Sequence, residues 1–217
     1  MREFSCILFD LDGTIVDSAP GITATLAFTF EKLGLPIPSP AELVAYVGPP
    51  ILDSFRDLAG FTPEQSRHAL DIYRGEYLRT GVFNATVYPG VADVLKAIRA
   101  HDVPLSLATS KPETPATLVL EHYDLLKYFD VITGASDDEK RSAKADVVAE
   151  ALRRLDERGV DISRPVLVGD RSHDVHGAAE HDVPTVFVRW GYGSPSEEVG
   201  AITVVDDAAE LTRVLLA

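Results

Sequence analysis

From residue 91 to the C-terminus, short apolar runs alternate with amphipathic helical stripes. No other feature of the chain constrains its fold as strongly. VPLSLATS (103–110), FDVITGA (129–135), PVLVGD (165–170) and PTVFVRW (184–190) read as strands, and AITVV (201–205) as a last short one. Val91, Val94, Leu95 and Ile98 form a helical stripe. Segments 113–122, 144–155, 173–181 and 207–216 also read as helices. Alternation of this kind means βαβ units, so an α/β fold is predicted, with a doubly wound parallel sheet and helices on both its faces.

One strand lies far from the others. Cys6 to Phe9 is an apolar run with no polar alternation, which suits a strand buried on both faces. Helical periodicity follows it: Ile22, Leu26, Phe30 and Leu33 share one face. Asp17 or Ser18 is the expected N-cap, and Gly34 with Pro36 the stop. Segments 41–47, 51–59 and 63–79 continue as helices. The predicted layout is therefore a Rossmann-like core of residues 1–16 and 82–217, with an all-helical cap domain of residues 17–81 inserted after the first strand.

The formal charge of −14 argues against a nucleic-acid polymer or an anionic membrane as partner, since both need a basic surface. No apolar run is long enough to span a bilayer. The single cysteine, Cys6, excludes an intramolecular disulfide and reads as a small core residue. With a short, polar N-terminus, a cytoplasmic location is expected. A chain this acidic that handles an anionic substrate must gather cations locally.

Open parallel sheets bind ligands beyond the carboxyl ends of their strands. The first strand ends in Asp10, with Asp12 just past it. The strand at 103–108 is followed by Thr109, Ser110 and Lys111. That at 165–168 is followed by Gly169, Asp170 and Asp174. Lys144 opens a helix, where it opposes the macrodipole unless it faces anions. Each pair alone is as easily a turn or a cap; their shared rim is the argument. No G-x-G-x-x-G follows the first strand, and neither a P-loop nor a G-x-S-x-G elbow occurs.

DLDGT (10–14), ATSKP (108–112), Lys144 in KRSAKADVVAEAL, and VGDRSHD (168–174) occur in that order. Together they resemble the four motifs of the haloacid dehalogenase (HAD) superfamily, specifically its phosphatases with a helical cap. VGPP (47–50) and YPGV (88–91) resemble the phosphoglycolate phosphatase branch. The resemblance implies a nucleophile at Asp10 and a general acid–base at Asp12. It implies a phosphate-binding hydroxyl at Thr109 and a charge-neutralising Lys144. The expected cofactor is Mg²⁺, on Asp10, the Asp12 carbonyl and Asp170, with Asp174 holding waters or Lys144 or ligating directly. Gly13, Thr14, Ser110, Gly48 and Arg56 are the expected substrate contacts, with Arg79 a further cap cation. Lys111 meets the phosphate or the cap, or lies on the surface. His173 and His176 have metal-compatible spacing, although oxygen ligands dominate there. Trp190-Gly191-Tyr192-Gly193 either borders the site or is a plain surface loop.

The expected activity is hydrolysis of a small phosphorylated metabolite, phosphoglycolate first. A nucleoside 5′-monophosphate, a sugar phosphomutase and a non-catalytic binder on the same fold are the alternatives. A monomer or weak homodimer is expected.

Overall fold

The computed structural model describes residues 3–136, 138 and 140–217. The chain divides into two units, Met1–Val16 with Val87–Ala217, and Asp17–Thr86.

In the first unit, β1 (Cys6–Phe9) is completely buried and lies near the middle of a six-stranded parallel sheet. A two-stranded ribbon, β2 (Val16–Asp17) and β3 (Thr86–Val87), marks the two crossings between units. Helices α1 to α4 belong to the second unit. The first unit resumes with α5 (Val91–Ala100), β4 (Leu105–Pro112), α6 (Glu113–His122), β5 (Val131–Ala135) and α7 (Lys144–Glu157). It closes with β6 (Pro165–Gly169), α8 (Ser172–Ala179), β7 (Thr185–Val188), β8 (Thr203–Val205) and α9 (Ala208–Leu215).

The sheet order is β5-β4-β1-β6-β7-β8, so β1 is flanked by β4 and β6, far later in the chain. Cys6, Leu8, Ala108 and Leu167 on these central strands pack with Val147, Val148, Ala151 and Leu155 of α7. The strand pairing brings Phe9, Ala108 and Val168 to one rim, and the polar residues that follow each of them emerge there together. β4 departs from expectation. It runs two residues past the expected end at Ser110, through Lys111 and Pro112, with a register break between Ala108 and Pro112. β7 stops at Val188, leaving Trp190 outside the sheet.

The second unit contains α1 (Ala19–Lys32), α2 (Pro40–Val44), α3 (Ile51–Asp57) and α4 (Pro63–Arg79). Ser18 is the N-cap residue of α1 but makes no side-chain cap bond; the Asp17 carboxylate before it accepts from the Ala19 N–H at 3.2 Å. Ser39 and Thr62 form capping boxes with Glu42 and Gln65, which fixes where α2 and α4 start. Phe30, Tyr46, Phe55, Phe61, Tyr73 and Tyr77 make an aromatic core. The unit runs on to Thr86 because a 3-10 turn at Gly81–Phe83 packs on α1 and α4.

Candidate active site

Asp10 follows β1 at the rim and is 3% exposed. Its Oδ1 lies 2.9 Å from Lys144 Nζ. Lys144, in the first turn of α7, is also buried. Its Nζ donates to the Ala108 carbonyl at 2.9 Å and pairs with both Asp10 and Asp174, whose Oδ1 lies 2.8 Å away. That triple engagement explains a lysine placed against the helix dipole.

Asp174 is fully buried in the first turn of α8. Its Oδ2 accepts from the backbone N–H groups of Asp170 and Arg171 at 3.1 and 3.0 Å. It therefore orders the loop that carries Asp170 and also holds Lys144. Asp170, also fully buried, accepts from Thr14 Oγ1 at 3.1 Å and from the Tyr192 N–H at 2.7 Å. Carboxylate oxygens of Asp10, Asp170 and Asp174 lie within 4.8 Å of one another, the one such group among the described residues able to hold a metal ion. His173 and His176 are outside it.

Asp12 has its own cation. Lys111 Nζ lies 2.7 Å from Asp12 Oδ2, with both side chains nearly covered. Asp12 Oδ1 is buried with no hydrogen-bond partner. Thr109 is buried, and its Oγ1 accepts from the Lys111 N–H at 3.3 Å; Ser110 is buried beside it. Gly13 has φ of +83°, and a Cβ there would come closer than 3.0 Å to Asp170 Oδ2, so glycine is required.

Burial pushes the Asp10 carboxyl up to about 6, against the pull of Lys144. Burial, with Asp174 and Asp10 nearby, raises Asp170 well above the usual carboxylate range. Burial would raise Asp174 too, but Lys144 and His173 hold it below its ordinary value. Four carboxylates here face two ammonium groups, which leaves two negative charges when all are ionised. A divalent cation with hard oxygen preference balances that charge, so the donor set fits such an ion.

The sequence matches the model of the haloacid dehalogenase-like hydrolases over residues 7–188, which covers every residue of this rim up to β7. The chain belongs to the haloacid dehalogenase-like hydrolase family. Among curated relatives it is 38% identical to the tyrosine-protein kinase PtkA of Mycobacterium tuberculosis, over 96% of this chain and 70% of that one. It is 34% identical to a 5′-nucleotidase of Pseudomonas aeruginosa, over 88% and 85% of the two chains. It is 29% identical to a phosphoglycolate phosphatase of Escherichia coli, over 86% and 81%. The crystal structure of a predicted phosphatase from Clostridium acetobutylicum superposes with a TM-score of 0.90, at 34% identity and 97% coverage of both chains.

Within this family member, Asp10, Asp12, Gly13, Thr14, Thr109, Ser110, Lys144, Asp170 and Asp174 all lie in the first unit. Gly48 and Arg56 lie in the second, where exposed Arg56 pairs with Asp53 at 3.0 Å and Asp57 at 2.7 Å. Arg79 pairs with Glu76 in the same unit. The structure resolves two alternatives that the sequence left open. Lys111 is a buried partner of Asp12, and the loop after β7 borders the rim, where the Tyr192 N–H reaches Asp170.

Proposed function

We propose that the chain is a Mg²⁺-dependent phosphatase that hydrolyses a small phosphomonoester through an aspartyl-phosphate intermediate. The observation that carries this reading is the placement of Asp10 and Asp12. Two carboxylates, two residues apart, are each buried against their own lysine beside Asp170. Asp10, the Asp12 backbone carbonyl and Asp170 would hold the ion. When bound, it supplies the positive charge that lets a phosphate dianion approach carboxylates.

Asp10 attacks phosphorus. A bond forms from its carboxylate oxygen to phosphorus as the ester P–O bond breaks, and the leaving oxygen takes a proton from Asp12. Asp12 then removes a proton from water as its oxygen attacks the acyl phosphate, releasing phosphate and restoring Asp10. Thr109 donates to a phosphoryl oxygen, with Gly13, Thr14 and Ser110 lining the same pocket. Lys144 balances charge on Asp10 and the transferring group. Asp12 enters this step as the carboxylic acid, released from its ion pair with Lys111.

Phosphoglycolate is the first-choice substrate, on the resemblance of VGPP and YPGV. A nucleoside 5′-monophosphate is the second, and the 5′-nucleotidase relative favours it. The kinase-named relatives raise a different acceptor, a tyrosine hydroxyl in place of water. A phosphate-release screen tests all three: phosphoglycolate, nucleoside monophosphates and sugar phosphates with Mg²⁺, and ATP with and without a tyrosine peptide. Phosphate release without an acceptor, lost in folded Asp10→Asn, is expected. Wild-type turnover in Asp10→Asn, or phosphate appearing only on the peptide, refutes the phosphatase reading.

A further inference from the structure

The segment Trp190–Gly193 follows β7 and has no charged side chain, yet it touches Asp170 at several points. The Tyr192 N–H donates to Asp170 Oδ2 at 2.7 Å. The Trp190 indole Nε1–H donates to the Thr14 carbonyl at 3.0 Å, and Thr14 Oγ1 in turn donates to Asp170 Oδ1 at 3.1 Å. Both carboxylate oxygens are thus held, one directly by this loop and one through Thr14.

The glycines explain the close approach. A Cβ on Gly191 would fall closer than 3.0 Å to Asp170 Oδ2, Asp170 Cβ and the Gly13 carbonyl. A Cβ on Gly193 would meet the Asp170 carbonyl and the Phe187 ring at similar range. Neither glycine has the left-handed φ that only glycine favours, so space, not backbone conformation, demands them. The far end of the loop is fixed as well. Glu197 accepts from the Ser194 N–H at 3.1 Å, and its other oxygen accepts from Arg171 Nε at 2.9 Å and the Ser172 N–H at 3.1 Å. The loop is therefore tied on both sides to the segment that carries Asp170.

The geometry points to Trp190–Gly193 as the mould that sets Asp170 for the metal ion. Gly191 and Gly193 act as positioning residues, and Tyr192 contributes its backbone N–H. This rests on the metal reading above. Two of the carboxylate's lone pairs are spent on Thr14 and Tyr192, which leaves a defined direction for a cation. Partners of this kind, when disturbed, cost about 10- to 100-fold in metal affinity.

The test reads metal binding and not turnover. MgCl₂ is titrated against purified protein while the melting midpoint is followed, which yields an affinity by mass action. Gly191→Ala, folded by circular dichroism, is expected to bind Mg²⁺ about tenfold or more weakly. A folded Gly191→Ala with wild-type affinity overturns the proposal. If Gly191→Ala does not fold, Trp190→Phe decides. It removes one donor and keeps the ring bulk, and a several-fold loss supports the mould whereas unchanged affinity refutes it. No Mg²⁺ binding by the wild-type chain overturns the metal reading itself, and the loop's role with it.

Discussion

Replacing Lys144 by Met keeps the length of the side chain and removes one buried charge. The structure shows what that charge does. Nζ lies 2.9 Å from Asp10 and 2.8 Å from Asp174, both buried, with Asp170 in the same cluster. Removing one partner of a buried pair costs about 3–5 kcal/mol, because the other is left uncompensated. For a chain of this size each kcal/mol moves the melting temperature by about 2–4 °C, so a loss of roughly 6–20 °C is expected at pH 8 without Mg²⁺. Met at this position fills the same space, so cavity formation adds little. The cost also depends on pH. Asp10 in the folded protein holds its proton up to about 6, so at pH 5 less charge is stranded and the gap narrows. Mg²⁺ at pH 8 narrows it again by replacing the missing cation. Thermal melts of both proteins at pH 5 and pH 8, with and without Mg²⁺, supply the comparison. Equal melting temperatures at pH 8, or a gap of the same size at both pH values, would refute the claim that Lys144 is the electrostatic keystone of this cluster.

Lys111→Met leaves Asp12 buried beside an apolar chain, and a loss of about 3 kcal/mol in urea unfolding at pH 7.5 is expected; under 1 kcal/mol would mean that the pair contributes little. Mg²⁺ affinity should fall as pH drops below about 6, because Asp10 must shed its proton to ligate; calorimetry in two buffers would also register proton release, and a flat profile from pH 5 to 8 contradicts it. The same shift has a sign for folding. Asp10 ionises near 4 in the unfolded chain and near 6 in the metal-free fold, so stability from this group declines as pH rises across that window. Burial pushes the Cys6 thiol up to about 11, above its unfolded value near 8.5, so alkali erodes stability between those values. At pH 8 a disulfide-exchange reagent should titrate no thiol in the native protein and one after denaturation; rapid native labelling would refute the burial of Cys6.

Much of the fold could be read from local pattern. The βαβ alternation after residue 91 and the periodicity of Ile22, Leu26 and Phe30 depend on which side chains avoid water, and that is written in the spacing. The caps of α2 and α4 are equally local. The extension of β4 beyond Ser110 was not, because nothing within 103–112 reports the register break against β5 between Ala108 and Pro112. The extension of the helical unit to Thr86 depends on a turn at Gly81–Phe83 packing against helices, a contact that no window of sequence contains.

The sequence by itself offered the candidates for the site: Asp10, Asp12, Thr109, Lys144 and Asp170, each just past the end of an apolar run or opening a helix. Their residue types declare a chemistry of carboxylates and cations. Tertiary structure alone decided which lysine serves which aspartate. Lys144 lies against Asp10 and Asp174, and Lys111 against Asp12. It also turned Trp190–Gly193, plain in composition, into the support of Asp170. Ion pairs and backbone hydrogen bonds act over about 3 Å. Residues as distant in the chain as Asp10 and Lys144, or Asp12 and Lys111, come that close only when β1, β4, β6 and β7 are paired in one sheet.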